Sequence, residues 1–274
     1  MKPDPDPQLM SLIQGWIALP SPRHTVPLIG IGGSQASGKS TLAKTAAKAF
    51  GAVSLSLDDV YLTKAERLAM AKAQHPLFAV RGAPGSHDLG LLEQTIAALS
   101  QAGPKDRTAL PSFDKLADDR LPKTAWPAFE GRPTAIVIEG WCMGAAPIAG
   151  EALIRPVNSL EAEHDPQGVW RRRWNTILAD TYQHFFGRLD ALLFLSAPDF
   201  GVVLDWRCEQ EAGLLGIAPS DLPPERHQAL SQFIAHYQRL TQHMLDGAVT
   251  ATATAALGPK RQLVAVSGPS LPNP

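Results

Sequence analysis

The chain has 274 residues, of which 45% are hydrophobic and 19% charged, a composition typical of a globular protein that buries a sizeable core. The 25 basic and 26 acidic residues give a formal net charge of −1, so the charge balance does not indicate binding to nucleic acid or to an anionic membrane. The two cysteines, Cys142 and Cys208, are too few for a disulfide framework and favour a reducing compartment.

The two ends of the chain predict loose segments around one domain. Residues 1–7 alternate proline with charge and lack the apolar core of a signal peptide. No apolar run approaches the length of a membrane span, so we expect a cytoplasmic protein. We expect a disordered N-terminus over 1–7, a single domain over 8–266 and a flexible, proline-containing tail over 267–274.

A strand, a glycine-rich loop and a helix follow one another between residues 26 and 50. The apolar run 26–33 predicts a buried strand, and Gly33-Ser-Gln-Ala-Ser-Gly-Lys-Ser40 matches the phosphate-binding pattern G-x-x-x-x-G-K-[ST] in full. Gly33 and Gly38 let the backbone turn its N–H groups toward an anion, and the N-terminus of the following helix adds partial positive charge. The residues expected to contact a nucleoside triphosphate are Gly33, Ser34, Gln35, Ala36, Ser37, Gly38, Lys39, Ser40 and Thr41.

Two residues of this loop have specific roles in phosphate binding. We expect Lys39 to reach the β- and γ-phosphates and the Ser40 hydroxyl to ligate Mg²⁺. The simpler alternative, a glycine-rich turn, is disfavoured because two glycines, Lys and Ser all fall in register after a strand. A dinucleotide fingerprint beginning at Gly30 is excluded, because Gln35 stands where its third glycine belongs.

The rest of the chain alternates apolar strands with amphipathic helices. The pattern predicts helices over 8–18, 64–74, 169–189, 200–215 and 224–245 and after Asp88, strands over 52–57, 135–138, 191–195 and 262–266, and loops over 76–85 and 103–132. This alternation indicates a parallel sheet covered by helices on both faces. Ligands of such folds collect at the carboxyl ends of the strands.

Carboxylates follow two of the predicted strands. Asp58 and Asp59 end the strand 52–57, and Glu139 ends the strand 135–138. Phosphoryl transfer needs a carboxylate to take the acceptor proton and oxygen ligands to hold the metal. Asp58 or Asp59 suits the first role, and Glu139 suits the second, directly or through water. The alternative for the aspartates is a cap or a turn, whereas a carboxylate that ends a buried strand is costly without a partner.

Five further segments, taken together, resemble the motifs of a known family. They are Ser56-Leu-Asp-Asp-Val-Tyr-Leu-Thr63, Arg81-Gly-Ala-Pro-Gly-Ser-His-Asp88, Pro111-Ser-Phe-Asp-Lys115 followed by Asp119-Arg120, Ile138-Glu-Gly-Trp-Cys-Met-Gly144, and Trp206-Arg-Cys-Glu-Gln-Glu211. In this order they resemble the motifs of the D-glycerate 3-kinase group, which belongs to the phosphoribulokinase and uridine kinase family of P-loop kinases. The resemblance runs from about residue 29 to residue 245.

The resemblance implies a fold, an activity and a set of site residues. The implied fold is the three-layer α/β fold of P-loop NTPases, a parallel sheet with helices on both faces and a helical lid around 200–226. The implied activity is transfer of the γ-phosphoryl group of ATP, with Mg²⁺, to a hydroxyl of D-glycerate. The catalytic residues are then Asp58 as base, Lys39, and Arg207 from the lid; the metal ligands are Ser40, Asp58 and Glu139; the acceptor-side residues are Tyr61, Arg81, His87, Asp88, Asp114, Lys115 and Arg120.

Charge supports the acceptor side independently. Glycerate is an anion, so its pocket should offer a cation such as Arg81, Lys115 or Arg120. His87 next to Asp88 is either an acid–base pair or a histidine at a helix start, and we favour acceptor binding.

Two other features bear on the acceptor and on the site. Val60 replaces the family's usual Phe, and the loop 116–120 lacks the family's glycines, which leaves the acceptor open. The run Arg171–Arg173 falls on a predicted helix, where neighbours fan out to different faces, so we expect at most one of the three at the active site.

Other functions remain open on the sequence. The same chemistry on pantothenate or a nucleoside is the nearest alternative, and a nucleotide-binding regulator without transfer is the alternative from another class. An anion requirement does not separate glycerate from pantothenate, and few aromatic residues in the acceptor region disfavour a stacked nucleoside. The chain has a candidate base and no Asn-Lys-x-Asp guanine element, which favours catalysis over switching. The oligomeric state is not indicated.

Overall fold

A six-stranded sheet forms the centre of the computed structural model, which describes residues 4–268. The strands are β1 (Leu28–Gly33), β2 (Val53–Ser56), β3 (Arg107–Ala109), β4 (Phe113–Asp114), β5 (Asp119–Arg120), β6 (Ala128–Glu130), β7 (Ile136–Gly140), β8 (Ala191–Ser196), β9 (Ala253–Leu257) and β10 (Leu263–Ser267). The central sheet has the order β10-β9-β8-β1-β7-β2, and its strands are parallel from β2 to β9, with β10 antiparallel to β9.

Helices cover both faces of this sheet. They are α1 (Pro7–Ala18), α2 (Lys39–Phe50), α3 (Lys64–Ala73), α4 (Leu89–Gln101), α5 (Ser159–His164), α6 (Val169–Ile177), α7 (Gln183–Phe186), α8 (Gly201–Leu215), α9 (Pro224–Ala235) and α10 (Gln238–Leu245). Side chains alternate across β7, where Ile136 and Ile138 join one apolar cluster and Val137 joins the other. The first cluster includes residues of α4, α6 and α10, and the second includes residues of α1, α2 and α8. The expected three-layer α/β fold is therefore confirmed.

The sheet brings the carboxyl ends of three strands together. β1 lies between β7 and β8, and β2 lies on the other side of β7. In register, Glu139 of β7 stands opposite Ile31 of β1 and Ser56 of β2. The segments that follow these strands, the phosphate loop after β1 and the aspartates after β2, therefore meet at one edge of the sheet beside Glu139.

The segment 103–132, predicted as mostly irregular, forms two nested antiparallel pairs instead. β3 pairs with β6, and β4 pairs with β5 inside them. Each of these strands has two or three residues, which is too short for a period-two pattern to stand out in the sequence. The inner pair carries residues 113–120 toward the aspartates that follow β2, since the Phe113 N–H lies 3.4 Å from Asp59 Oδ1.

Two predicted helices are interrupted. The predicted helix 169–189 consists of α6, a π-helical turn Leu178–Tyr182 and α7. The predicted helix 224–245 is divided into α9 and α10 at His236–Tyr237. Apolar periodicity continues through both interruptions, so it could not reveal them. Two further elements are not predicted from the sequence: α5, which has only six residues, and β9, whose alanines and threonine give a weak apolar signal.

The chain ends differ from the predicted bounds by a residue, and parts of both lie outside the described residues. α1 begins at Pro7, where the Asp6 carboxylate accepts from the Gln8 N–H at 2.8 Å and proline suits the first turn. β10 extends to Ser267. Residues 1–3 and 269–274 of the two predicted loose segments lie outside the described range. Within residues 4–268, none of the helices has the length and apolar character needed to cross a bilayer.

Candidate active site

The phosphate loop lies between β1 and α2 with a backbone that curls through positive φ angles. Gly33 has φ 149°, Ala36 φ 58° and Gly38 φ 97°. A Cβ on Gly33 would approach the Leu195 carbonyl oxygen to 2.9 Å, so only glycine fits there without a shift. Gly38 stands at the N-terminus of α2, which has no side-chain cap. The first N–H groups of α2 are thus left for a ligand, the arrangement that binds anions.

The buried hydroxyl groups of this loop fit a phosphate. Ser34 Oγ and Ser37 Oγ are buried and have no hydrogen-bond partner among the described residues. Buried hydroxyl groups are normally paired, so two orphans in one glycine loop indicate a ligand with several acceptor oxygens. The Lys39 ammonium donates to the Ser34 carbonyl at 3.4 Å, a long bond that a phosphate oxygen can replace. The remaining predicted residues of the loop, Gln35, Ala36, Ser40 and Thr41, are half-buried.

Glu139 forms the centre of a cluster of oxygen atoms beside the loop. Its Oε1 accepts from Ser40 Oγ at 2.7 Å and from Ser56 Oγ at 2.8 Å, and the residue is 5% exposed. None of the ion pairs among residues 4–268 involves Glu139, so a buried carboxylate is held there by hydroxyl groups alone. A carboxylate and a hydroxyl are ligands that suit Mg²⁺.

The oxygen cluster does not complete a metal site by itself. The part of the chain that the structure describes contains no group of three His, Cys, Asp or Glu residues able to hold a metal ion. Mg²⁺ usually keeps several waters and takes one or two carboxylates plus substrate phosphates, so Ser40 and Glu139 fit such a partial site. The third predicted ligand, Asp58, has its carboxylate bonded elsewhere.

Asp58 is held by Lys115 and Tyr61. It lies in a 3₁₀ turn, Leu57–Val60, that the Ser56 hydroxyl caps by accepting from the Asp58 N–H at 3.2 Å. Tyr61 Oη donates to Asp58 Oδ1 at 3.0 Å, and Lys115 Nζ donates to Asp58 Oδ2 at 2.6 Å. Burial opposes ionisation, but the ammonium groups of Lys115 and Lys39 outweigh it and lower the pKa of Asp58 to about 2. Asp58 is therefore an ionised acceptor at neutral pH.

Asp59 has the opposite environment although it is the next residue. Its carboxyl is half-buried and accepts a long bond, 3.4 Å, from the Phe113 N–H. Burial raises its pKa to about 6, and the neighbouring Asp58 charge adds to the rise while the Phe113 N–H opposes it. Asp59 lines a separate cavity of about 280 Å³ with Ser54 and Ser112. Of the two candidate bases, the structure places Asp58 beside the predicted acceptor residues.

Tyr61 joins the predicted acceptor segments to Asp58. Its ring stacks on His87 with centroids 4.6 Å apart, and Phe113 meets it edge-on at 5.4 Å. The Arg81 guanidinium carbon lies over the Phe113 ring, 5.6 Å from its centroid, and Arg81 is paired with Asp118. These contacts bring residues 58–61, 81–88 and 113–118 into one cluster.

Asp118 binds two arginines and was missed by the sequence analysis. It is a non-glycine residue with φ 54°, and its carboxylate pairs with Arg81 and, at 2.6 Å, with the fully buried Arg67. The loop 116–120 is thus held by ion pairs with one buried arginine, Arg67, and one half-buried arginine, Arg81, instead of being shaped by glycines. These ion pairs explain how the loop keeps its shape although it lacks the family's glycines.

Three predicted acceptor residues are engaged in local structure. The Asp114 carboxylate accepts from the Leu116 and Ala117 N–H groups at 2.8 and 3.1 Å, which forms the turn between β4 and β5. The Asp88 carboxylate caps α4 at the Leu91 N–H, 2.9 Å away.

Arg120 pairs with that same Asp88 carboxylate at 3.2 Å and donates to the Tyr61 carbonyl at 2.8 and 3.1 Å. Because Asp88 is paired with Arg120, it is not the acid–base partner of His87. Arg120 and Asp88 line an open cleft of about 500 Å³.

His87 contacts a residue that the sequence analysis did not single out. Its Nδ1 lies 2.6 Å from Tyr182 Oη, which also accepts from the Gly85 N–H at 3.0 Å. His87 is 6% exposed, and its Nε2 has no partner among residues 4–268. Burial lowers the pKa of His87 to about 4 against the opposing effect of the Asp58 carboxylate, so the ring is neutral.

The arginine that contacts the phosphate loop is Arg261 and not the expected Arg207. Arg207, on α8, donates to Glu211 at 3.1 Å and to Gln210 at 3.3 Å, and no described hydrogen bond or ion pair joins it to the phosphate loop. Arg261 does reach that loop, because its Nε donates to the Ala36 carbonyl at 2.8 Å. Arg261 also pairs with Glu209 and lies 5.0 Å from the Trp206 ring centroid. Arg261 has a φ of 61°, a backbone conformation that a sequence normally signals by a glycine, so its position could not be predicted.

The run Arg171–Arg173 does not contribute to the site. Arg171 is fully buried, and its guanidinium binds Asp165 and the carbonyls of Leu153 and Ile154. Arg172 donates to the Gln167 carbonyl and Arg173 to the Gln74 side chain. We expected at most one of the three at the active site, and these contacts join none of them to it.

The chain is similar in sequence and in fold to known kinases. No family model matches the chain. It is 32% identical over 231 residues to the uncharacterised kinase mug58 of Schizosaccharomyces pombe, with 80% of each chain covered. It is 28% identical over 225 residues to the chloroplastic D-glycerate 3-kinase of Arabidopsis thaliana, covering 77% of this chain and 46% of that protein, so it spans about half of that relative's length.

Among solved structures, the D-glycerate 3-kinase from Cryptococcus neoformans var. grubii superimposes with a TM-score of 0.74 over 95% of this chain and 98% of that one. The two are 21% identical, so this likeness shows a common fold.

Proposed function

The chain belongs to the family of P-loop kinases that includes mug58 and the D-glycerate 3-kinases, and from this premise we propose that it transfers the γ-phosphoryl group of ATP to a hydroxyl of D-glycerate. One observation carries the proposal beyond family membership. An ionised carboxylate, Asp58, lies beside the phosphate loop and contacts a cation, Lys115, on the side where the acceptor segments meet. A base and an anion-binding group thus adjoin the phosphoryl donor site.

The donor side would hold ATP and Mg²⁺ through groups that form no ion pair among the described residues. The α2 N-terminus, the orphan hydroxyl groups of Ser34 and Ser37, and the Lys39 ammonium are available to the phosphates. Ser40 and Glu139 are available to Mg²⁺, which neutralises charge on the transferred phosphoryl group when it is bound. The Ser40 and Ser56 hydroxyl groups hold the Glu139 carboxylate in place before the nucleotide arrives, so this group needs little reorganisation on binding.

On the acceptor side, Asp58 accepts the proton of the attacking hydroxyl. Its pKa of about 2 makes it a weak base while Lys115 stays paired with it. A carboxylate on the acceptor competes for the Lys115 ammonium, which is 58% exposed and so free to turn toward a ligand. An anionic acceptor is therefore favoured over a neutral polyol.

Other acceptors are separated by experiment. Lys115, Arg81 and Arg120 favour an anion but do not separate glycerate from pantothenate. ADP release is measured with D-glycerate, L-glycerate, glycerol, pantothenate and uridine, each against ATP and Mg²⁺ alone. We expect strong stimulation by D-glycerate alone. Stimulation by another member of the panel would reassign the acceptor, and equal ADP release without any acceptor would favour a nucleotide-binding regulator.

A matched control guards this assay against contaminating ATPases. Lys39→Met removes the ammonium from the phosphate loop and preserves an unbranched side chain at the start of α2. ADP release should fall to background with this variant for every acceptor. Residual D-glycerate-dependent release at the wild-type rate would show that the activity belongs to another protein.

A further inference from the structure

The Tyr182 hydroxyl lies at the Nδ1 edge of the His87 ring and is carried by a π-helical turn. The turn, Leu178–Tyr182, interrupts the long helix between α6 and α7. In a regular helix each residue advances by about 100°, so the wider turn changes the direction of the side chains that follow. Tyr182 is 1% exposed, and its hydroxyl meets two groups of the Arg81–Asp88 segment, the Gly85 N–H and His87 Nδ1.

The hydrogen bonds of this hydroxyl determine where the proton of His87 lies. The Gly85 N–H can only donate, so Tyr182 Oη accepts from it. The hydroxyl hydrogen then needs an acceptor, and His87 Nδ1, 2.6 Å away, is the one that the described contacts provide. Nδ1 is therefore unprotonated, and the ring carries its hydrogen on Nε2.

The other protonation states leave more groups unpaired. With the hydrogen on Nδ1, both the Tyr182 hydroxyl hydrogen and the Nε2 lone pair would be buried without a partner among residues 4–268. A doubly protonated ring would place a charge in a site where burial lowers the pKa of His87 to about 4. With the hydrogen on Nε2, a single group lacks a partner, and it is a donor.

This donor lies in the same cluster as the proposed base. The His87 ring is stacked on Tyr61, whose hydroxyl bonds Asp58. His87 is more than nine-tenths buried, and its Nε2 has no partner in the described part of the chain. Buried donors are rarely left unpaired unless a ligand completes them.

We propose that Tyr182 is a positioning residue that holds His87 as the neutral Nε2–H tautomer, so that Nε2–H donates a hydrogen bond to an oxygen of the acceptor. The acceptor's identity as D-glycerate rests on the function proposed above, whereas the tautomer does not. His87 then binds the acceptor and does not exchange a proton with it. Tyr182 acts through His87 and touches no substrate.

The tautomer is measured directly by ¹⁵N NMR of the histidine side chains in the whole protein without ligands, with the His87 signals assigned by their loss in His87→Gln. We expect a protonated Nε2 and an unprotonated Nδ1 in the wild type, and a mixture of tautomers in Tyr182→Phe. Tyr237→Phe is the matched control, since its hydroxyl donates to the Arg81 carbonyl instead, and it should leave the His87 signals unchanged. A wild-type ring protonated at Nδ1 would overturn the proposal.

Kinetics test the donor role. Tyr182→Phe should raise the KM for D-glycerate about tenfold with a smaller change in kcat and an ATP KM within about twofold of wild type. His87→Gln, whose amide keeps a donor near the Nε2 position, should retain more activity than His87→Asn. Equal losses in these two variants, or an unchanged KM in Tyr182→Phe, would overturn the donor role.

Failure of the proposed function is distinguishable from failure of this inference. If the wild type does not phosphorylate D-glycerate, the proposed function fails, and the ligand-free NMR spectrum still decides the positioning role of Tyr182. If D-glycerate is phosphorylated but its addition leaves the His87 Nε2–H signal unmoved, the inference fails and the function stands.

Discussion

The donor half and the acceptor half of the site differ in how their polar groups are satisfied. The phosphate-binding part of the donor half comes from one continuous stretch, residues 33–41, and it keeps two buried hydroxyl groups that have no partner among residues 4–268. The acceptor half comes from segments far apart in the sequence, and its cations are already paired, Lys115 with Asp58, Arg81 with Asp118 and Arg120 with Asp88. The donor half is thus ready for its ligand, whereas an acceptor must exchange internal ion pairs for its own.

This difference has a consequence for specificity. A ligand that binds to groups without ion-pair partners gains the whole free energy of its new interactions. A ligand that displaces an internal carboxylate gains only the difference in free energy between the new ion pair and the one it replaces. An anionic acceptor can replace Asp58 at Lys115, and a neutral one cannot. Discrimination between acceptors is therefore expected to depend on the acceptor half, and nucleotide affinity on the donor half.

Removal of the proposed base should give the largest difference between the two halves, a loss of turnover without a loss of ATP binding. Asp58→Asn keeps the shape of the 3₁₀ turn but cannot accept a proton, so kcat should fall by roughly 10²- to 10⁴-fold. The donor half is untouched, and the affinity for ATP, measured by equilibrium binding, should stay within about threefold of wild type. Near-wild-type turnover would remove Asp58 as the base.

Glu139→Gln probes the metal side of the donor half. The amide retains a carbonyl oxygen for the Ser40 hydroxyl but loses the charge that favours a cation. Titration of turnover with Mg²⁺ should show an apparent affinity about 10- to 100-fold weaker, with the KM for D-glycerate little changed. An unaltered Mg²⁺ dependence would show that Glu139 only orients Ser40 and Ser56.

Lys115→Met should affect charged and neutral acceptors with opposite signs. The variant loses the cation for an acceptor carboxylate, so the KM for D-glycerate should rise about tenfold. It also frees Asp58 from its partner and raises the pKa of that carboxyl, so the slow turnover of glycerol should increase. Equal losses for both acceptors would mean that Lys115 serves to hold the loop and not to select an anion.

Arg261→Met tests whether a residue outside the stretch 33–41 contributes to ATP binding. Its guanidinium supports the Ala36 carbonyl at the non-glycine position of positive φ. The KM for ATP should rise by about three- to tenfold, with the KM for D-glycerate unchanged. Arg207→Met is the matched control, because Arg207 pairs within α8, and it should change the ATP KM less than Arg261→Met does. The reverse order would restore Arg207 as the arginine that serves the phosphates.

Asp59→Asn should change stability and its dependence on pH. The pKa of Asp59 is raised from 3.8 to about 6, so the folded state favours the protonated carboxyl. That stabilisation is complete below about pH 4 and is lost as pH rises through 6, because the unfolded chain ionises more readily. Without nucleotide and Mg²⁺, the Tm of Asp59→Asn relative to wild type should rise by a few degrees between pH 5 and pH 8. A constant difference would show that Asp59 does not titrate in this range.

The same contrast explains how far the sequence could predict the site. The phosphate loop was predictable because its residues are contiguous and the backbone geometry follows from glycine positions. Glu139 was predictable because a charge at the end of a buried strand needs a partner. The pairing of Asp58 with Lys115 follows only from tertiary structure, because 57 residues separate them.

Physical reasons explain why no sequence pattern pointed to the remaining residues of the site. A π-helical turn changes the direction of the Tyr182 side chain but leaves the apolar periodicity intact, so the sequence pattern does not reveal it. Arg261 and Asp118 adopt positive φ without being glycine, and the contacts that hold them come from distant segments. Arg207 was expected at the phosphates from a resemblance, and its contacts lie within its own helix.

The most direct test of the account is the fate of the phosphoryl group followed by ³¹P NMR with ATP, Mg²⁺ and D-glycerate. We predict one new phosphomonoester signal that grows in equal amount to the ATP lost, and its absence with Asp58→Asn. Loss of ATP to ADP and inorganic phosphate, with no phosphomonoester formed, would contradict the account.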